Sequence, residues 1–83
     1  MSDRVTRWIR GYDRVSETIA AEYPLSRDWD LAQLQTLFGL SGDNPMFDSF
    51  PIGTREAAAL AASTNGSIAL DLYDFFLEAD SEE

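Results

Sequence analysis

The sequence has no cysteine, no histidine and no lysine among its 83 residues. Without cysteine and histidine it lacks the usual zinc ligands, the disulfide cross-link and the commonest general base of enzymes. No apolar run approaches the roughly 20 residues of a membrane-spanning helix, and the amino-terminal segment lacks the apolar stretch of a secretory signal. We therefore expect a cytoplasmic protein that binds a partner and is not an enzyme, with no cofactor, no metal and no membrane contact.

Positive charge is scarce and unevenly placed. Fifteen acidic residues stand against six arginines, for a formal net charge of −9. Residues 1–27 hold five arginines and four acids, whereas residues 28–83 hold eleven acids and Arg55 alone. Such a domain repels nucleic acid and attracts basic partners by long-range steering. We expect the amino-terminal arginines to pair with neighbouring acids, and we do not expect nucleic acid as a partner.

The length and the hydrophobic fraction predict one small folded domain. Hydrophobic residues make up 45% of the chain, including two Trp, three Tyr and five Phe. A chain of this size buries a single modest core. The acidic residues 80–83 are predicted to form a disordered tail.

Two short helices are predicted. In the first, at about 31–38, Asp30 is the N-cap, Gln33 completes a capping box and Gly39 ends the helix in a left-handed conformation. The second runs from Arg55 to about Ser63 through an alanine-rich run. We expect Thr54 to cap it and the turn at 65–66 to follow it.

The first third of the chain allows two interpretations. Its apolar residues recur near a helical period, which favours one long amphipathic helix. Many of them are aromatic or β-branched, however, and Gly11 and the turn-forming residues 13–16 interrupt the run, which favours a β-hairpin. The pattern alone leaves both open.

The last segment, 68–79, alternates as a strand does. Tyr73, Phe75 and Leu77 would face a core, and the opposite face would carry the following residues: Asp74, Phe76, Glu78 and Asp80. A short extended piece is predicted at about 48–52, which Pro51 would place at a sheet edge.

The order of several motifs resembles a family of small bacterial domains of unknown function and, more distantly, the cloacin-type immunity proteins. The motifs are Gly11-Tyr12-Asp13-Arg14, Glu22-Tyr23-Pro24-Leu25, Leu37-Phe38-Gly39-Leu40, the run 43–52 and the run 70–78. The immunity proteins are acidic chains of about this size that protect bacteria from ribonuclease bacteriocins. The resemblance implies a twisted antiparallel sheet, a hairpin with strands near 5–12 and 17–24, and Phe50 and Ile52 in a central strand. The two helices depart from that group.

We therefore predict an α+β fold in a single domain: a small antiparallel sheet made of the N-terminal hairpin and two further strands, with two short helices packed on one face. The predicted core residues are Ile9, Ile19, Tyr23, Leu31, Leu34, Phe38, Phe50, Leu60, Tyr73, Phe75 and Leu77.

The opposite face of the sheet is the candidate site. Trp8, Arg10 and Tyr12 would point outward beside the acids and the aromatic ring of the last strand, as anchors within an acidic rim. The predicted partner contacts are Trp8, Tyr12, Asp48, Asp74, Phe76 and Glu78. The function we predict is that of an immunity protein that inhibits a cognate toxin, a basic nuclease domain. The alternatives are a general interaction module or homodimeric subunit without a toxin partner, and a nucleic-acid mimic.

The loop at 43–50 has oxygen ligands at short spacing, at Asp43, Asn44 and Asp48. It lacks the longer ligand series of a calcium-binding EF-hand, so a turn held by its own Asx side chains is the favoured interpretation. Met46 and Phe47 would then either join the interface or plug the core.

Overall fold

The computed structural model describes residues 4–26, 29–61 and 68–82 and forms the predicted α+β fold. The elements in chain order are β1 (Arg4–Asp13), β2 (Ile19–Pro24), α1 (Leu31–Leu37), β3 (Phe50–Pro51), α2 (Thr54–Leu60) and β4 (Tyr73–Glu82). The strands form one antiparallel sheet in the order β2-β1-β4-β3. The two long strands, β1 and β4, therefore lie side by side at its centre.

Residues 4–24 form a hairpin, which decides between the two interpretations left open by the pattern. β1 and β2 pair antiparallel from Trp8↔Pro24 to Tyr12↔Ile19. Between them, Asp13 Oδ1 accepts hydrogen bonds from the backbone N–H groups of Val15 and Ser16, at 2.8 and 3.0 Å. A short acidic side chain that satisfies two turn amides explains why the chain reverses here.

A register shift in the hairpin overturns the prediction that Ile19 belongs to the core. Gly11 pairs with Ala21, but the next residue, Tyr12, pairs with Ile19, so β2 carries one extra residue. Because side chains alternate between faces, this bulge moves Ile19 to the face opposite the helices. Its side chain is 50% exposed.

β4 starts later and ends later than the alternation predicted. Residues 70–72 form a turn, and Leu72 is exposed. At the other end, Asp80, Ser81 and Glu82 pair with Thr6, Val5 and Arg4 of β1. The expected disordered tail is therefore wrong for residues 80–82, because backbone pairing with β1 orders them whatever their side-chain charge.

β3 is a two-residue edge strand. Phe50 and Pro51 pair with Leu77 and Phe76 of β4, and β3 has no second neighbour in the described sheet. The expectation of a central strand holding Phe50 and Ile52 is therefore wrong, and the edge position expected from Pro51 is confirmed. Proline has no backbone N–H to donate, which suits it to an edge.

Helix α1 has the predicted caps. The side chain of Asp30 accepts from the N–H of Gln33 at 2.8 Å, the side chain of Gln33 accepts from the N–H of Asp30 at 3.0 Å, and Gly39 takes φ +68°. Leu31 is 38% exposed and is not a core residue. This two-turn helix buries Leu34 and Gln35, which leaves its first residue at the rim.

Helix α2 begins one residue earlier than predicted. Gly53 is the N-cap and Thr54 is the first helical residue, so Thr54 is not the cap. Instead, the Glu56 carboxylate accepts from the Gly53 N–H at 3.0 Å. The predicted end at Ser63 and the turn at 65–66 lie outside the described residues.

The core lies between the helices and one face of the sheet. Its buried members are Ile9, Leu34, Met46, Ile52, Ala57, Leu60, Phe75 and Leu77. Four other predicted members, Tyr23, Phe38, Phe50 and Tyr73, are partly buried against it. Met46 is buried in the core, whereas Phe47 is 60% exposed, so Met46 alone of the two packs into the core.

A buried amide fixes the loop that carries Met46. The Gln35 side chain donates to the backbone carbonyls of Gly42 and Asn44, at 3.2 and 2.7 Å. The Asn44 side chain in turn accepts from the Met46 N–H at 2.8 Å, as an Asx turn does. The loop therefore has the internally bonded form favoured over a calcium site.

Gly11 is required within β1 for a packing reason. A Cβ atom built there would lie 2.7 Å from two ring carbons of Phe75. Any larger residue would displace the aromatic ring that β4 contributes to the core.

Candidate functional site

The face of the sheet opposite the helices carries the candidate site. Ile9, Phe75 and Leu77 face the core. Because side chains alternate along a strand, the residues on either side of them in β1 and β4 face away from the core. We call this surface the outer face, and it comprises Trp8, Arg10, Tyr12, Ile19, Glu22, Asp74, Phe76, Glu78 and Asp80. It combines three half-buried aromatic rings with four carboxylates and one guanidinium.

Arg10 binds three carboxylates from the two strands that flank it. Its Nε donates to Glu22 of β2 at 2.6 Å, and its terminal nitrogens donate to Glu78 at 3.1 Å and to Asp80 at 2.6 Å. The Arg10 side chain is only 13% exposed, whereas Glu22 and Asp80 are 39% and 49% exposed. Hydrogen bonding to Asp80 above all raises the pKa of Arg10, so the guanidinium stays charged. The cluster keeps a net charge of −2.

Glu78 joins the cluster to the rest of the outer face. The Tyr12 hydroxyl donates to Oε1 of Glu78 at 2.7 Å, and the Ser49 hydroxyl donates to Oε2 at 3.0 Å. Burial acts to raise the pKa of Glu78, but hydrogen bonds from Tyr12, Arg10 and Ser49 outweigh it and hold that pKa below its usual range. A hydrogen-bonded network therefore crosses the sheet from β2 to the residue before β3.

The aromatic rings of the outer face pack on this network. The Arg10 guanidinium carbon lies 5.4 Å from the centre of the Trp8 ring, within the range of a cation–π contact. The Tyr12 and Phe76 rings meet edge to face, with centroids 5.9 Å apart. The rings of the outer face therefore contact one another and the Arg10 guanidinium.

Arg14 forms a second, more exposed ion pair at the turn end of the outer face. Its Nε donates to Asp74 Oδ1 at 3.1 Å, and its terminal nitrogens donate to the backbone carbonyls of Leu70 and Asp71. The two ion-paired side chains are 49% and 58% exposed. The expectation that amino-terminal arginines pair within the chain is confirmed for Arg10 and Arg14.

An open groove of about 400 Å³ lies between this ion pair and the aromatic rings. Its lining residues are Tyr12, Asp13, Arg14, Glu17, Ser49, Asp74, Phe76 and Glu78. Four of these eight residues are acids and one is an arginine, so the groove has a net charge of −3. It is a concave, acidic surface that overlaps the turn end of the outer face. We call its half-buried rings, Tyr12 and Phe76, the aromatic floor, and its exposed acids, Glu17 and Asp74, the rim.

A family model described as a domain of unknown function, DUF7683, matches residues 6–78. The chain belongs to this family. No curated protein and no solved structure matches the chain. The matched range runs from β1 into β4 and holds every outer-face residue except Asp80. The resemblance to cloacin-type immunity proteins stays a prediction.

The structure brings five of the six predicted contact residues of this DUF7683 domain onto the outer face: Trp8, Tyr12, Asp74, Phe76 and Glu78. The sixth, Asp48, is exposed in the loop before β3, one residue from Ser49, and does not line the groove. Of the five, Glu78 is the least available to a partner because both of its oxygens already accept hydrogen bonds.

Sequence reasoning left Arg10, Glu22 and Ser49 out of the predicted contacts. The period of two did place Arg10 on this face beside Trp8 and Tyr12, but Arg10 was not counted among the contacts. Glu22 joins the network through the pairing of β2 with β1, and Ser49 joins it through its position in the loop before β3. No local pattern in the sequence indicates either contact.

Two negative findings apply to the described parts of the DUF7683 domain. No group of three or more carboxylates in residues 4–26, 29–61 and 68–82 is arranged to hold a metal ion. Within the same ranges, neither helix is long and apolar enough to cross a membrane.

Proposed function

We propose that this DUF7683 domain is an immunity protein that binds a cognate bacterial toxin, a basic nuclease domain, and blocks it by occlusion. The observation that carries the proposal is the outer face itself, where acids in excess surround half-buried aromatic rings on a side of the sheet that the two helices leave open. Aromatic anchors within a charged rim are the usual composition of strong protein interfaces.

The arrangement of charge suits a fast encounter with a basic protein. An acidic surface steers a basic partner by long-range attraction, and a nuclease must carry positive charge to hold its nucleic acid. The same acids repel nucleic acid, so the inhibitor would compete for the toxin without binding the toxin's substrate. This encounter belongs in the cytoplasm, before the toxin reaches nucleic acid.

The network around Arg10 favours binding over catalysis. The acids that surround Arg10 are ion-paired with it, and the pKa values of Glu78 and Asp80 are lowered, so neither is poised to exchange protons near neutral pH. Rings and charges that are already ordered lose little conformational entropy in a complex. The domain is therefore proposed to act without enzymatic chemistry.

The first experiment is on the product of the adjacent gene. Its C-terminal domain is expressed alone and together with this chain, and growth and complex formation are measured. We expect the neighbour alone to arrest growth, the pair to grow, and the purified complex to weaken as salt is added. A toxic neighbour that this chain neither binds nor neutralises would contradict the proposal, and so would a harmless neighbour.

A matched pair of charge reversals then locates the contact. Asp74→Lys reverses an exposed acid of the outer face, and Asp43→Lys makes the same change in the loop anchored by Gln35. We expect Asp74→Lys to weaken toxin binding by about tenfold or more, equivalent to about 1.4 kcal/mol, and to reduce its salt dependence, with a smaller effect of Asp43→Lys. Equal effects of the two variants would mean that the outer face is not the contact.

One observation favours the alternative of a homodimeric interaction module without a toxin. β2 is an edge strand of six residues, and within the described sheet its only neighbour is β1. An unpaired edge can add a strand from a second copy. Light scattering distinguishes the two functions, because a dimer has twice the 9.3 kDa of the monomer.

A further inference from the structure

We propose that the groove of the outer face receives a single arginine side chain of the partner, with its guanidinium over the aromatic floor and between the acids of the rim. This inference rests on the proposed function, because it specifies what a basic partner inserts into the surface already described. The proposed side chain is arginine, whereas the negative charge of the face alone would attract arginine and lysine alike.

The floor of the groove suits a flat cation. Tyr12 and Phe76 line it with half-buried rings that meet edge to face at 71°, so that they present differently oriented ring surfaces. A guanidinium placed over an aromatic ring is stabilised by the ring quadrupole, and the effect grows as water is excluded. Arg10 packs against Trp8 in this way at 5.4 Å on the same face.

The rim of the groove holds carboxylate oxygens that are still free to accept. Asp74 uses Oδ1 for Arg14, and within the described chain its Oδ2 has no hydrogen-bond partner. The Glu17 carboxylate likewise forms no hydrogen bond or ion pair with any other described residue. By contrast, both oxygens of Glu78 already accept hydrogen bonds, and Oδ1 of Asp13 accepts two from the turn amides.

The contacts of Arg14 indicate that the rim suits a guanidinium. Its guanidinium bonds at once to the Asp74 carboxylate and to two backbone carbonyls, a use of several donors that the single ammonium of lysine does not match in geometry. With Oδ1 of Asp74 taken by Arg14, Oδ2 of Asp74 and the Glu17 carboxylate remain as acceptors for a second guanidinium in the groove. A volume of about 400 Å³ exceeds what one side chain needs.

The test uses short peptides as probes of the isolated, isotopically labelled domain. Acetyl-Gly-Arg-Gly-amide is titrated in parallel with the same peptide carrying lysine or the neutral isostere citrulline, and NMR shifts are followed. We expect the arginine peptide to bind with a millimolar dissociation constant and to shift resonances of Tyr12, Asp74 and Phe76, and the lysine and citrulline peptides to bind at least about threefold more weakly. Equal binding of the three peptides, or shifts away from the groove, would overturn the proposal.

Variants distinguish the groove from the face as a whole. The double variant Glu17→Gln and Asp74→Asn neutralises the two rim carboxylates, and Asp43→Asn with Glu56→Gln removes the same charge elsewhere. We expect the first pair to weaken arginine-peptide binding about tenfold and the second pair to leave it within about twofold. If both pairs act alike, the groove is not the site. If a toxin binds and the arginine peptide does not, the groove assignment fails while the proposed function stands. If the peptide binds and no toxin partner is found, the groove assignment stands while the proposed function fails.

Discussion

The two faces of the sheet are built from the same strands and hold the molecule together by different means. On the inner face, Ile9, Phe75 and Leu77 are at most 3% exposed and pack on the helices. On the outer face, Arg10 and Glu78 directly follow Ile9 and Leu77 in sequence but are joined by hydrogen bonds and ion pairs. Burial of apolar area stabilises the first face, and a network that stays partly hydrated orders the second.

The fold depends less on the outer face than on the inner face, which leaves the outer face free for the recognition role proposed above. Removing apolar atoms from a dry core leaves a cavity, whereas removing a half-exposed ring or a hydrated charge lets water take its place. The faces should therefore respond to substitution by different amounts and to different conditions.

The largest expected difference is between two neighbours on β4. Leu77→Ala, on the inner face, should lower the free energy of unfolding by about 2–5 kcal/mol. Phe76→Ala, on the outer face, should lower it by about 1–1.5 kcal/mol, mainly through loss of the Tyr12 ring contact. Urea unfolding of both variants measures the two values. Equal losses would mean that the outer face is as much a part of the core as the inner face.

The alternation of residues in the sequence predicted the two faces of β4 correctly and the face of Ile19 wrongly. The period of two in β4 placed Phe75 and Leu77 inside and Asp74, Phe76 and Glu78 outside, as the structure has them, because alternation in a strand is a local property. Ile19 followed the same logic and was wrong, because the bulge opposite Gly11 shifts the register by one residue. A bulge depends on how two strands meet, and the apolar pattern of either strand carries no trace of it.

Two further differences between prediction and structure come from contacts that the alternation of apolar residues does not indicate. Residues 80–82 look like an acidic tail, yet β1 supplies backbone partners for them. Met46 looks like a loop residue, yet the Gln35 amide and the Asn44 turn hold it in the core at 1% exposure. The same holds for the candidate site: its aromatic and acidic members could be predicted from alternation, and the Arg10 network and the groove could not.

The second prediction compares the two arginine clusters within the outer face. Arg10→Gln leaves three carboxylates facing one another, one of them on Glu78 at 19% exposure, and should cost about 1–3 kcal/mol. Arg14→Gln breaks an ion pair whose members are both about half exposed and should cost less than about 1 kcal/mol. Denaturant unfolding at low and high salt measures both. A loss for Arg14→Gln that matches that for Arg10→Gln would show that exposure does not set the strength of these pairs.

The third prediction uses acid to separate the faces. Hydrogen bonding from Arg10 lowers the pKa of Asp80, and the network lowers that of Glu78, so both carboxyls stabilise the fold only while ionised. Their contribution is complete above the ordinary carboxyl pKa of about 4 and is lost as the pH falls through the lowered values. Stability measured from pH 7 to pH 2 should therefore fall on acidification, and it should fall less in Arg10→Gln. An equally steep fall in that variant would place the acid-sensitive groups elsewhere.

The smallest expected effect lies at the hairpin turn beside the groove. Glu17 has φ +61°, a left-handed conformation that glycine adopts without the usual penalty of a side chain. Glu17→Gly should therefore raise the free energy of unfolding by about 0.5–1 kcal/mol, although it removes a rim acid and should weaken arginine-peptide binding.

Val15 is the control, because its φ is not positive and its side chain is 93% exposed. Val15→Gly should lower stability slightly, since glycine only adds freedom to the unfolded chain. Stability and peptide affinity that move in opposite directions at Glu17 would show that the carboxylate serves binding on the outer face and that the fold does not need it. A loss of stability in Glu17→Gly would instead make this side chain part of the turn.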